Sequence, residues 1–295
     1  MADAPGSKDI NETIRDPVLI GAVGGSGTRV VARILAQAGF FIGAHRNHAE
    51  DSVPMMDFYK TWLHSYISLR GALPCHAALS QADHFCRAIA GHRTGVGHSD
   101  HPWAVKNPRS LLMLPYWRQK FPRLRFIHMI RNGLDMAYSG DKNQLEMFQD
   151  IVLTAEELEF SLPLRGIAYW RTVNLAAADY GAAILGSSYH LLRFEDLCSE
   201  PKIAIEKLAA FVETPIDLAA VISQITPPAT IDRWRAHPAA ETRSLVALGS
   251  PALEHFGYRN LHLSNWSTTR CPPHDPCNRG RPVAGLLRRS VRFLN

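Results

Sequence analysis

The residues best placed to do chemistry lie in Gly24-Gly-Ser-Gly-Thr-Arg29. A short apolar run, Val18–Ala22, precedes them, and an amphipathic run over residues 30–38 follows and stops at Gly39. The pattern predicts strand, glycine-rich turn and helix. Glycines let the backbone bend sharply and approach a ligand closely. Unpaired N–H groups at a helix start, with the positive end of its dipole, form an anion site. Ser26 and Thr28 add hydroxyls, and Arg29 adds a charge. Residues 23–29 therefore read as a phosphate cradle. It is neither of two common ones. The pattern G-x-x-x-x-G-K-[ST], counted from Gly21, has Gly27 where the lysine belongs. The dinucleotide pattern G-x-G-x-x-G fails at Val30.

Two further cations stand at the ends of predicted strands. Trp103–Val105 is a short strand candidate that ends in Lys106, and Asn107-Pro108 turns the chain after it. Arg125-Phe-Ile-His-Met-Ile130 is the clearest β-run and ends at Arg131. Asn132-Gly133 turns, and a helix begins over Leu134–Ser139. Arg131 at a strand end and Ser139 two turns into that helix could face one anion. A polar loop, Gly43–Ser52, carries His45, His48, Glu50 and Asp51. The two histidines lack any partner spacing for a metal, so they read as solvated and no metal is expected.

These residues need a scaffold to hold them. Helices are predicted around residues 55–66, 77–90, 111–120, 153–162, 166–180 and 203–212, and a further strand at Tyr189–Phe194. Alternation of strand and helix from residue 18 onward predicts a parallel sheet covered on both faces. Right-handed crossovers place the strand C-termini, with Gly24–Thr28, Lys106 and Arg131, along one edge. Open α/β sheets bind ligands there. The chain divides into a polar lead (1–16), one domain (17–263) and a Pro/Arg-rich basic tail (264–295). The tail reads as a partly disordered segment, with a docking helix or weak contact to a membrane surface as the alternatives.

Composition narrows the class. A net charge of +5 over 295 residues favours anionic ligands, and no basic block with interleaved aromatics suggests nucleic acid. The five cysteines form no C-x-x-C pair, so a reducing compartment is expected. The N-terminal residues lack the apolar core of a signal peptide. A cytoplasmic location is the resulting expectation. The oligomeric state leaves no trace in the sequence.

Four stretches, in order, resemble the sulfotransferases that use 3′-phosphoadenosine 5′-phosphosulfate (PAPS). The Gly24–Arg29 turn resembles their 5′-phosphosulfate loop. Residues 121–139, Phe-Pro-x-x-Arg-Phe-Ile-His-Met-Ile-Arg-Asn-Gly-Leu-Asp-Met-Ala-Tyr-Ser, resemble their 3′-phosphate signature. Ala104-Val-Lys-Asn-Pro-Arg109 resembles the Lys-x-Pro element of bacterial branches, and Arg193-Phe-Glu-Asp-Leu-x-x-x-Pro201 resembles a late strand and helix. The resemblance runs from about residue 17 to about 260. It implies a P-loop-like three-layer α/β sandwich with a central parallel sheet flanked by helices.

By resemblance, Gly24, Gly25, Ser26, Gly27, Thr28 and Arg29 would bind the 5′-phosphate of PAPS, and Arg131 and Ser139 its 3′-phosphate. Lys106 would stand at the bridging oxygen. The product would be adenosine 3′,5′-bisphosphate, and the acceptor a hydroxyl or amine of a small molecule, sugar or lipid. Two positions depart from the pattern. Gly25 replaces a lysine or arginine that many members carry, and Pro108 stands where phenol- and steroid-sulfating members have a catalytic histidine. The base must come from elsewhere, with Asp51 favoured over Glu50 and His48. A kinase on the same fold and a degenerate nucleotide-binding module are the alternatives.

Overall fold

The computed structural model describes residues 14–258. Most of the polar lead and the whole basic tail fall outside them. Four parallel strands form the centre: β1 (Val18–Gly21), β2 (Ala104–Lys106), β3 (Arg125–Ile130) and β4 (Tyr189–Arg193), in the order β2-β1-β3-β4. Ile20 pairs with Lys106 on one side and with Ile127 on the other. The crossovers carry helices, which is what parallel pairing demands.

Alternation along each strand divides two cores. Leu19, Val105, Phe126 and Ile130 face one, while Val18, Ile20, Ala104, Ile127 and Met129 face the other. The first core is covered by α2 (Val53–Ser68), α3 (Cys75–His92), α4 (Leu114–Lys120) and α8 (Leu162–Tyr180); the second by α1 (Thr28–Gln37), α9 (Phe194–Ser199) and α10 (Pro201–Val212). Both faces of the sheet are therefore dry, and the strands read as continuous apolar runs. Each fully buried aliphatic side chain contributes roughly 1.5–3 kcal/mol. The architecture is a three-layer α/β sandwich around a parallel sheet. Among the described residues no helix is long and apolar enough to cross a membrane.

Several helix boundaries differ from the sequence expectation. The helix expected at residues 111–120 starts as a 3₁₀ turn at Pro108–Met113, because Asn107 caps it by accepting from the Arg109 N–H at 3.1 Å. The helix expected over 134–139 ends sooner, as α5 (Gly133–Ala137). Ser139 lies past its end. The acidic stretch 153–162 is mostly a single turn, α7 (Ala155–Leu158), closed by a capping box between Thr154 and Glu157. Between α5 and α7 lies α6 (Asn143–Val152). The chain closes with α11 (Leu218–Ile222), a 3₁₀ turn at Arg233–Ala236 and α12 (Ala239–His255).

Candidate active site

The glycine turn leaves β1 and enters α1 as the sequence predicts. Gly25 and Gly27 have φ of 86° and 91°, a left-handed backbone that strains any other residue. Gly27 is also tight for space: a Cβ there would lie 2.5 Å from the Phe194 ring. No side chain caps α1, and of its first turn the Val30 N–H donates to the Gly27 carbonyl at 3.1 Å. The Ser26 hydroxyl is partly spent, donating to the Val23 carbonyl at 2.7 Å. The buried Thr28 hydroxyl makes no hydrogen bond among the described residues. Arg29 is exposed on the first turn of α1.

Lys106 and Asp51 meet. The buried Lys106 ammonium donates to Asp51 Oδ1 at 2.5 Å and to the Ala49 carbonyl at 2.8 Å. An ammonium has three N–H donors, so one remains. Burial pushes the Lys106 pKa down, Asp51 opposes that shift, and the positive charge of Arg29 adds to it. Glu50, on a left-handed residue with φ of 65°, turns to Arg33 at 2.7 Å and Arg46 at 3.7 Å. The loop is thus split: Asp51 points to the strand end and Glu50 to the helix rim. His45 and His48 are exposed, as expected.

A buried relay that the sequence reading missed fixes this pair. Ser52 caps α2 and donates its N–H to the Lys106 carbonyl at 3.1 Å. Its hydroxyl lies 2.9 Å from His92 Nδ1, and His92 Nε2 lies 3.1 Å from the Ala104 carbonyl. The carbonyl can only accept, so Nε2 carries the proton and Nδ1 accepts from Ser52. Burial pulls the His92 pKa down to about 4, keeping the ring neutral. Only the helix expected around residues 55–66 was legible. The histidine sits on a helix forty residues away.

Arg131 sits differently. Its guanidinium is buried and donates to the Thr230 carbonyl at 2.5 Å and hydroxyl at 3.0 Å, with Asp135 at 3.6 Å. Its Nε has no partner among the described residues. The guanidinium carbon lies 5.2 Å from the centre of the Phe194 ring, the same ring that crowds Gly27. One aromatic side chain therefore touches both the turn and the arginine. Arg233 adds a second positive charge close enough to Arg131 to depress its own pKa, after burial. Two guanidiniums share one carboxylate here, leaving net positive charge. The backbone of this strand end is held rigidly: Trp170 donates to the Arg131 carbonyl at 3.0 Å, and the Asn132 N–H donates to Glu195 at 2.8 Å.

Ser139 lies at the turn itself, its hydroxyl 3.1 Å from where a Cβ on Gly25 would stand. That hydroxyl accepts from the Asp141 N–H at 3.2 Å. The Asp141 carboxylate covers Gly24, a placement the sequence reading did not foresee. It follows Ser139 by two residues, and that proximity was the available signal. Thr230, Asp232 and Trp234 were also missed as partners of this region. Asp135 accepts from the N–H groups of Asp232 and Trp234 at 3.0 and 3.4 Å and so pins that segment against α5.

A glycine turn, a strand-end lysine and a strand-end arginine thus line one rim of a parallel sheet. The family model described as "Sulfotransferase family" matches residues 17–217. The chain belongs to the sulfotransferase family. This membership accounts for the P-loop-like fold and sets the kinase alternative aside. Solved structures of similar shape include sulfotransferase STF9 from Mycobacterium avium, 10% identical, with a TM-score of 0.49 and coverage of 84% of this chain and 78% of that one. The sulfotransferase domain of the Synechococcus PCC 7002 olefin synthase is 14% identical, with a TM-score of 0.47 and coverage of 83% and 97%. A sulfotransferase from Alicyclobacillus acidocaldarius is 20% identical, with a TM-score of 0.39 and coverage of 82% and 99%. No curated protein matches the sequence.

Proposed function

We propose that this sulfotransferase takes PAPS as its donor and transfers the sulfuryl group to an acceptor hydroxyl or amine. The observation that carries the reading is the pair of separate cationic features around one turn. On one side stand Lys106 and the N-terminus of α1, which no side chain caps. On the other stands Arg131, with its buried, unpartnered Nε and with Arg233 beside it. Orphaned buried donors are costly unless a ligand accepts from them. The residues present therefore fit a doubly phosphorylated nucleotide. When bound, PAPS supplies a sulfuryl group already activated by its bond to phosphate.

Each residue then has one task. With the donor bound, the turn N–H groups and Thr28 would hold the 5′-phosphate end, and Arg131 and Ser139, with Arg233 beside them, would hold the 3′-phosphate. The remaining Lys106 N–H donor neutralises charge that grows on the bridging oxygen. The Asp51 carboxylate accepts the proton of the acceptor hydroxyl as the new S–O bond forms and the old one breaks. Positioning and charge neutralisation supply the rest, as in phosphoryl transfer. Gly25 brings no cation to the turn; Arg29 and Lys106 carry that charge instead.

Incubation with radiolabelled PAPS and a panel of alcohols, sugars, phenols and amines tests this. Label moving to at least one acceptor, with release of adenosine 3′,5′-bisphosphate, is the expected result. Tight nucleotide binding without transfer to any acceptor would instead identify a degenerate nucleotide-binding module.

A further inference from the structure

The sheet ends on one side at β4, and that edge is open. β3 pairs with β4 along its whole length, and no strand among the described residues pairs with its other side. An edge strand turns a row of backbone N–H and C=O groups outward, ready to pair with another segment. At the opposite edge Phe41 bridges to Trp103 just before β2, so that edge is partly closed.

A cavity of about 100 Å³ runs beside β4. All of residues 190–193 line it. Side chains alternate between the two faces of a strand, so a cavity touching four in a row follows the edge and not one face. Its far wall is made by Asp196, Glu200, Ile203 and Lys207. Ile203 is 47% exposed, a large apolar side chain left on that wall. The lining charges cancel, Arg193 and Lys207 against Asp196 and Glu200, so the groove selects neither a cation nor an anion. His190 Nε2 and Arg193 Nε are buried and have no partner among the described residues. A peptide backbone, neutral and carrying both donors and acceptors, suits such an edge.

The chain itself supplies a segment at the right place. The described residues end at Tyr258, whose ring lies 4.5 Å from the Arg193 guanidinium and whose hydroxyl donates to Glu195 at 2.9 Å. The chain therefore continues from the C-terminal end of β4, and it can follow that strand only by running antiparallel to it. β4 has five residues, about 17 Å of strand. The residues that come next, outside the described ones, are Arg259-Asn-Leu-His-Leu-Ser-Asn265. They are enough to cover that length. Leu261 and Leu263 alternate with polar residues, the period of a strand with one apolar face, and Ile203 offers that face a place to lie. We propose that residues 259–265 add to β4 as an antiparallel strand and close the edge. A second copy could pair there instead, but a tethered segment acts at a roughly millimolar effective concentration and wins against a dilute partner.

Hydrogen–deuterium exchange of the full chain, read by mass spectrometry, tests this. Amides of residues 260–265 are expected to exchange about tenfold slower or more than in a free peptide of the same sequence. Exchange as fast as in the free peptide would overturn the proposal, and this result needs no variant. Two variants then locate the protection. Ile203→Glu changes an exposed position and should keep the fold. It should raise exchange in residues 260–265 and in β4 together. The double variant Leu261→Pro/His262→Pro removes an N–H from each side of the added strand and should do the same. Protection in residues 260–265 that leaves β4 exchange unchanged in both variants would put the segment elsewhere and overturn the pairing. Protection of β4 that fades on dilution, with a dimer seen by sedimentation, would assign the edge to a second copy and overturn it as well.

Discussion

The two cationic sides of the sheet rim are built by opposite means. The turn and Lys106 side is assembled from near neighbours: a glycine backbone, a helix start, and a lysine paired in register with the strand that feeds the turn. It presents mostly backbone N–H groups and one ammonium. The Arg131 side is made of buried charged side chains held by partners about a hundred residues on, at Thr230, Asp232 and Trp234. Backbone donors in a tight turn cost little to preorganise. Buried guanidiniums cost much, and are tolerated only with hydrogen bonds and a counter-charge. The first side therefore suits the reacting end of a ligand, and the second suits selection of the ligand.

That contrast can be broken by mutation. The largest effects are expected at the reacting side. Lys106→Met should lower kcat by roughly a hundredfold to a thousandfold, the cost typical of losing one transition-state donor, with nucleotide affinity changing far less. Asp51→Asn should lower kcat by about a hundredfold or more. It should also draw the alkaline limb of the rate profile to lower pH, because Lys106 keeps its burial and loses the carboxylate that opposed it. Steady-state kinetics across pH reads both. Full turnover in Asp51→Asn would move the base elsewhere.

Acid stability probes what lies beneath each side. His92 under β2 and His128 within β3 are both buried, and burial pulls each pKa down to about 4. The unfolded chain takes up these protons near the ordinary value of about 6.5, whereas the folded chain does not until about pH 4. Stability should therefore fall as pH drops from about 6.5 to about 4, by up to roughly 3 kcal/mol per histidine. Urea unfolding of His92→Asn and His128→Asn at several pH values should show each variant with a flatter slope. An unchanged slope in both would contradict neutral burial.

A smaller effect is expected at the joint between the sides. Gly27→Ala places a methyl group against Phe194 on a left-handed residue. The expected cost is about 1–3 kcal/mol, from backbone strain and crowding. If the Phe194 contact links the sides, nucleotide affinity should fall as well. Loss of stability with affinity intact would show that the ring only fills space.

The same contrast explains what the sequence made legible. The turn, its strand and its helix were readable because glycine spacing and apolar periodicity act locally. Lys106 and Arg131 were readable as strand-end cations, since the parallel sheet places them at one edge. Their partners were not. The pairing of Asp51 with Lys106 depends on a loop conformation fixed by His92, and the anchoring of Arg131 depends on a segment that follows the late helices. No periodicity announces contacts of that range. Helix boundaries slipped where a cap outweighed the apolar pattern, at Asn107 and Thr154. The acidic cover over Gly24 came from a residue that reads simply as polar loop.

The most direct measurement compares the dissociation constants of adenosine 3′,5′-bisphosphate and adenosine 5′-monophosphate, on the unmodified chain and on Arg131→Ala. A charge-assisted contact to phosphate is worth roughly 1.5–3 kcal/mol, so the bisphosphate should bind about tenfold tighter or more. That preference should shrink by about tenfold or more in Arg131→Ala, to what Arg233 alone can supply. Equal affinity for the two nucleotides on the unmodified chain, or a preference undiminished by the substitution, would contradict a 3′-phosphate pocket at Arg131.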